Sequence, residues 1–297
     1  MIPARNGRWT DRAGGGTLTA VSTGHTLGRR EFLLRGGALA AAGIGSGALA
    51  GEKFDLVIHG GEVIDPSQSL RAQRDLGIRW GRVAAIEPAI EPARAIHSID
   101  ATGNLVLPGL IDLHAHVYPQ GTALGLPADE LVPYTATTTY VSAGDAGAGN
   151  FSALRHYIIA QARSRIFAFV HISRIGLAGF PVGEALNIDY ADVDAAAKTV
   201  AENADVVLGV KVRVSRSVVG ANGLEPLDRA IAAAALAGGG ARVLCHIGDA
   251  PGDLSAVLDR LRPGDILTHT YSGAGNNVVQ EGRVLPAALA AQQRGVV

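Results

Sequence analysis

A single cysteine, Cys245, occurs in 297 residues, so no internal disulfide can form and a cysteine-rich zinc module is excluded. Neither sign of charge prevails: 26 Lys+Arg face 27 Asp+Glu, a formal net charge of -1. No global field therefore draws nucleic acid or anionic lipid to the surface. No apolar run approaches the ~20 residues of a membrane-spanning helix, so no permanent span is expected. The 39 glycines and 13 prolines follow no period, which removes collagen-like and linker architectures. What the chain does have is apolar content: 47% of its residues are hydrophobic, ample for a buried core.

Residues 1–50 are expected to be a targeting segment. Arg29-Arg30 precede an uncharged, weakly apolar stretch, Gly36–Ile44, and Ala48-Leu49-Ala50 offers the small residues that a signal peptidase reads. That pattern fits a twin-arginine export signal and predicts a periplasmic or secreted protein. An Ala-rich N-terminal helix is the alternative. If the segment reflects a mis-assigned start, the address reverts to the cytoplasm.

Fold reasoning begins near Gly51. Phe54–His59 and Glu62–Asp65 flank Gly60-Gly61, a tight-turn signal that predicts a hairpin. Short strand-like pieces follow at Asp75–Arg79, Arg82–Ile86, Ile96–Ile99 and Leu105–Pro108, so residues 51–108 read as a small β-sandwich. From Gly109 the period changes. Apolar runs at Leu110–Val117, Thr138–Ala143, Ile166–Ser173, Val206–Val214, Val243–Ile247 and Ile266–Thr270 alternate with Ala-rich helical stretches. This alternation predicts an α/β fold with a parallel sheet, open or closed as a (β/α)8 barrel, over residues 109–297. About six strands are present, with Gly295-Val296-Val297 placed to open a seventh. The stretch is shorter than the ~250 residues of a typical barrel, so the barrel is expected to be incomplete.

The chemistry concentrates at strand ends. His114 and His116 are two apart on the first barrel strand, so their imidazoles share a face at the mouth. Lys211, His246 and His269 occupy equivalent ends of later strands. One histidine at a strand end is an ordinary polar residue; four such histidines point to a metal centre. Lys211 lies in an apolar run, where desolvation favours the neutral amine. A neutral amine can add carbon dioxide to give an anionic carbamate able to bridge two divalent ions ~3.5–4 Å apart. An anion-binding lysine is the alternative. His25, His59, His97, His156 and His171 fit no such geometry and are assigned to the surface or core. Arg213, which shares the face of Lys211 as Ser215 does, and Tyr271 and Asp145 are candidate substrate contacts. Cys245, next to inward-facing His246, should face outward, which disfavours a catalytic thiol.

Val106-Leu107-Pro108-Gly109-Leu110-Ile111-Asp112-Leu113-His114-Ala115-His116 resembles the first-strand signature of the amidohydrolase superfamily. Gly209–Ser215, Cys245-His246-Ile247-Gly248 and Leu267-Thr268-His269-Thr270-Tyr271 are similar to its dihydroorotase-like amidohydrolase/deacetylase branch. The resemblance implies that His114 and His116 bind the more buried ion, His246 and His269 the more exposed one, and carboxylated Lys211 bridges them. It also implies zinc, and hydrolysis of an amide, cyclic amide or ester of a small molecule. Homo-oligomerisation stays open.

Family members carry an Asp at the end of the eighth barrel strand, and 297 residues stop within what would be strand seven. The expectation is a C-terminally truncated chain of impaired turnover. Two other readings stay in competition, a non-catalytic metal-binding relic and an esterase or phosphoesterase on the same barrel.

Overall fold

The computed structural model describes residues 53–273 and 277–297. The twin-arginine segment expected at 1–50, with His25, lies outside the described residues. Phe54–Asp65 forms one long strand, β1. Leu70–Arg79 (β2) pairs antiparallel with it, and Arg82–Glu87 (β3) pairs antiparallel with β2. Ala95–Asp100 (β4) and Leu105–Val106 (β5) both run parallel to β1, β4 on its first half and β5 on its second.

The hairpin expected at Gly60-Gly61 is not formed. The chain continues through a bulge, where the register shifts between Ile58 and Gly61. Gly60 adopts φ 73, and its N–H donates to Asp75 Oδ1 at 3.0 Å. The glycine thus serves a left-handed bulge, not a reversal. The reversal comes later, at the 3-10 turn Pro66–Gln68, capped by the Asp65 side chain on Ser67 N and closed by Ser69 at φ 52. The strands expected over 51–108 are present as one mixed five-stranded sheet in place of the two facing sheets of a sandwich, because β4 and β5 both use β1 as their partner.

Six parallel strands make the second sheet, in simple sequence order. They are Leu110–Ala115 (β6), Thr137–Gly147 (β7), Arg165–His171 (β8), Val207–Arg213 (β9), Arg242–His246 (β10) and Ile266–Thr268 (β11). Helices Val193–Glu202, Glu225–Ala237 and Leu254–Arg260 cover one face. Val210, Val212, Val243 and Cys245 pack there against Leu227, Val257 and Leu258. The opposite parity makes a separate inner cluster of Val141, Ala143, Phe169 and Leu244. Cys245 is therefore on the helix side and fully buried, as its parity predicts.

The sheet is curled. His114 Nδ1 on β6 lies 2.8 Å from Thr268 Oγ1 on β11. In a flat sheet five strand spacings would hold those strands ~24 Å apart. Only a half-barrel brings the first and sixth strands together at the mouth. Residues Gly295–Val297 add a partial seventh position: Val297 N donates to Asp265 O at 2.9 Å, and Leu267 N donates to Val297 O at 2.8 Å. No helix among the described residues is long and apolar enough to cross a membrane.

Candidate metal centre

The four strand-end histidines meet. Ring centroids lie 5.6 Å apart for His114 and His116, 4.6 Å for His114 and His269, and 4.5 Å for His246 and His269. His269 sits one residue past β11 at φ 69, a left-handed step at the end of the strand. Burial holds the His114 imidazole down to about 3, helped by the Lys211 charge and the neighbouring rings. His246 is lowered to about 2 by burial, then by Lys211 and Arg213. His269 is lowered mainly by burial. At neutral pH all three present free lone pairs, the form that ligates metal.

Lys211 is 1% exposed, and its Nζ has no hydrogen-bond partner among the described residues. Burial lowers its pKa to about 7, against smaller opposing effects from Cys245, Glu184 and Asp145. Room for its stem comes from Gly144, which at φ 87 would place a Cβ 2.3 Å from Lys211 Cγ. His171 pairs in register with Lys211 across β8 and β9.

Behind these groups stands a charged cluster that sequence reasoning missed. Glu184, 3% exposed, lies 3.1 Å from His171 Nε2 and accepts from the Arg213 guanidinium at 3.1 Å. Burial pushes the Glu184 carboxyl up, but the His171 hydrogen bond and the charges of His171 and Arg213 outweigh it and the net shift is downward. His171 is thus buried as assigned, yet engaged in this cluster. The only sequence signal was its strand-end position, two residues after Phe169. Arg213 also lies over the Phe180 ring, at 5.6 Å.

The candidate substrate contacts separate. Arg213 is bound to Glu184, Asp145 is wholly buried and 2.7 Å from His116 Nδ1, and Tyr271 is 88% exposed. Ser215 is buried. His97 and His156 are exposed, and His59 is half-buried. Among the described residues no three His, Cys, Asp or Glu side chains are placed to hold one ion by themselves. The rings form a chain, His116–His114–His269–His246, and Lys211 contributes a buried nitrogen with no hydrogen-bond partner among the described residues.

No family model matches the chain. A deacetylase of Agrobacterium fabrum is 34% identical over 202 residues, 68% of this chain and 49% of its own length. A deacetylase of Brucella anthropi is 31% identical, over 68% of this chain and 50% of that protein. The chain thus spans about half the length of these curated relatives. Among solved structures, an adenine deaminase matches with a TM-score of 0.72 and 28% identity, covering 82% of this chain and 65% of that one. A dihydroorotase matches with a TM-score of 0.71 and 29% identity, covering 81% and 63%. Taken with the His-x-His strand and the curled parallel sheet, these likenesses establish that the chain belongs to the amidohydrolase superfamily, among its dihydroorotase-like amidohydrolases and deacetylases.

Proposed function

We propose that the protein is a metal-dependent hydrolase of amide-type C–N bonds in a small molecule, a deacetylase or cyclic-amide hydrolase. The observation that carries this reading is Lys211, a buried amine without a hydrogen-bond partner beside neutral strand-end imidazoles. A pKa of about 7 leaves about half of it as free amine at neutral pH. That amine attacks carbon dioxide: the N–C bond forms, one C=O electron pair moves to oxygen, and an N–H proton leaves to solvent. The product carries one negative charge shared by two oxygens, where the neutral amine had none.

In this reading His114 and His116 hold one divalent ion, His246 and His269 a second, and carboxylated Lys211 both. The ions, zinc by resemblance, would supply a polarised carbonyl and a hydroxide nucleophile. Arg213 and Asp145 serve from behind the mouth, through Glu184 and His116, while exposed Tyr271 is the substrate contact. The proposal extends to twin-arginine export, supported by Arg29-Arg30 and Ala48-Leu49-Ala50.

The test uses the full chain, prepared with zinc and bicarbonate. Metal content is measured, carbamate is sought by carbon NMR after labelled bicarbonate, and turnover is compared across N-acetyl amino acids, hydantoin-like rings, acetyl esters and phosphotriesters. About two equivalents of zinc are expected. Lys211→Ala should lose most of them, with no rescue by bicarbonate. Unchanged metal content in that variant would refute the carbamate bridge, and preference for phosphotriesters would refute the C–N assignment.

A further inference from the structure

We propose that Asp145 is a positioning residue that selects the tautomer of His116; this rests on the reading of His116 as a metal ligand. Asp145 comes from the far end of β7 and is 0% exposed. Its Oδ1 lies 2.7 Å from His116 Nδ1. Its Oδ2 accepts two further hydrogen bonds, from Val117 N at 3.0 Å and from Ser142 Oγ at 2.7 Å. A carboxylate offers acceptors only. The proton on the His116 ring must therefore sit on Nδ1, and Nε2 keeps its lone pair. A metal-binding imidazole whose other nitrogen donates to a carboxylate is oriented and made more basic. His114 has a weaker guide, because the Thr268 hydroxyl at 2.8 Å can donate or accept and leaves either tautomer possible.

The geometry makes one substitution diagnostic. In Asp145→Asn the amide must turn its NH2 toward one of two places. Facing Val117 would set it against a backbone N–H, which can only donate. The NH2 therefore faces His116 Nδ1, which becomes an acceptor, and the ring proton moves to Nε2. Shape and volume are almost unchanged, while the metal-facing nitrogen is capped by hydrogen. The same change behind the catalytic histidine of serine proteases acts through the wrong tautomer.

The experiment labels histidine with nitrogen-15 in the full, metal-free chain and reads the His116 tautomer by NMR. Zinc affinity is then measured by competition with a chromophoric chelator. The parent should carry its proton on Nδ1 and Asp145→Asn on Nε2, with zinc bound about 10–100-fold more weakly. Ser142→Ala is the control: it removes a buried hydrogen bond to the same carboxylate but leaves the tautomer and the affinity as in the parent. A merely structural role for Asp145 would lower both variants' thermal midpoints and leave their zinc affinities alike, which overturns the proposal. So does an Nδ1–H tautomer that persists in Asp145→Asn. Should that variant fail to fold, the parent alone decides, since a proton on its Nε2 is equally fatal. Failure of the metal reading has its own signature, in which the parent and His116→Ala bind zinc alike, and the NMR result then judges Asp145 by itself.

Discussion

Gly144→Ala tests how tightly the lysine is built into the mouth. The residue adopts φ 87, so any L side chain costs ~1–2 kcal/mol in backbone strain. The new Cβ would also lie 2.3 Å from Lys211 Cγ, 2.6 Å from Lys211 Cβ and 3.2 Å from His171 Cδ2. The Lys211 Cβ cannot swing away, because β9 is paired with β8 on one side and β10 on the other. Overpacking of this kind costs ~1–3 kcal/mol, giving a total of ~2–5 kcal/mol. Gly103→Ala supplies the comparison: φ 76 imposes similar strain, but nothing lies within 4 Å of its Cβ. Urea unfolding of the metal-free chain at pH 7 should show Gly103→Ala losing only ~1–2 kcal/mol, with the difference assigned to the clash with Lys211. Equal losses in the two variants would refute the reasoning, since they would mean that the space beside Lys211 is not filled.

Two further perturbations follow from the same geometry. Glu184→Ala leaves the Arg213 guanidinium without its buried counter-charge and should cost ~3–5 kcal/mol in urea unfolding, whereas a loss below ~1 kcal/mol would show that the cluster is solvated. The metal-free chain should weaken as pH falls from 6.5 to 5. His114 and His246, lowered to about 3 and about 2, stay unprotonated in the fold while the unfolded chain takes up protons at ordinary values. Stability is therefore present above the ordinary histidine range and lost below it, by at most ~1.4 kcal/mol per pH unit for His246 and less for the more exposed His114. In His246→Asn the slope of unfolding free energy against pH should be shallower, and an unchanged slope would contradict the burial argument.

The barrel strands were legible because both faces of a parallel sheet are buried, leaving near-continuous β-branched runs such as Val207–Arg213. That the four strand-end histidines gather at one mouth followed from the same register, through strand parity and strand ends. Other elements were hidden for identifiable reasons. Helix Ala128–Thr135 was not anticipated: it carries Pro133 inside it and Pro127 at its start, and prolines there break the helical signal. Gly60-Gly61 signals a backbone that needs positive φ, but the contact that makes it a bulge, with Asp75, is 15 residues away. Asp145 was visible as a strand end, while its partner His116 lies 29 residues earlier, one residue past another strand. Glu184 had no signal at all: it follows no period, and its role exists only once folding sets it between His171 and Arg213.

The hydrogen bond between His114 and Thr268 joins residues 154 apart in the chain. Closing so large a span costs entropy that grows with the logarithm of its length and must be offset by contacts that are themselves non-local, which slows folding. A growing chain that has already made β6 to β9 holds His114, His116 and Lys211 but lacks the strand against which the first of these leans. The histidine cluster is therefore assembled only when β11 arrives, bringing Thr268 and His269 to the mouth. Kinetically, the histidine cluster is an outcome of sheet closure and cannot serve as its nucleus.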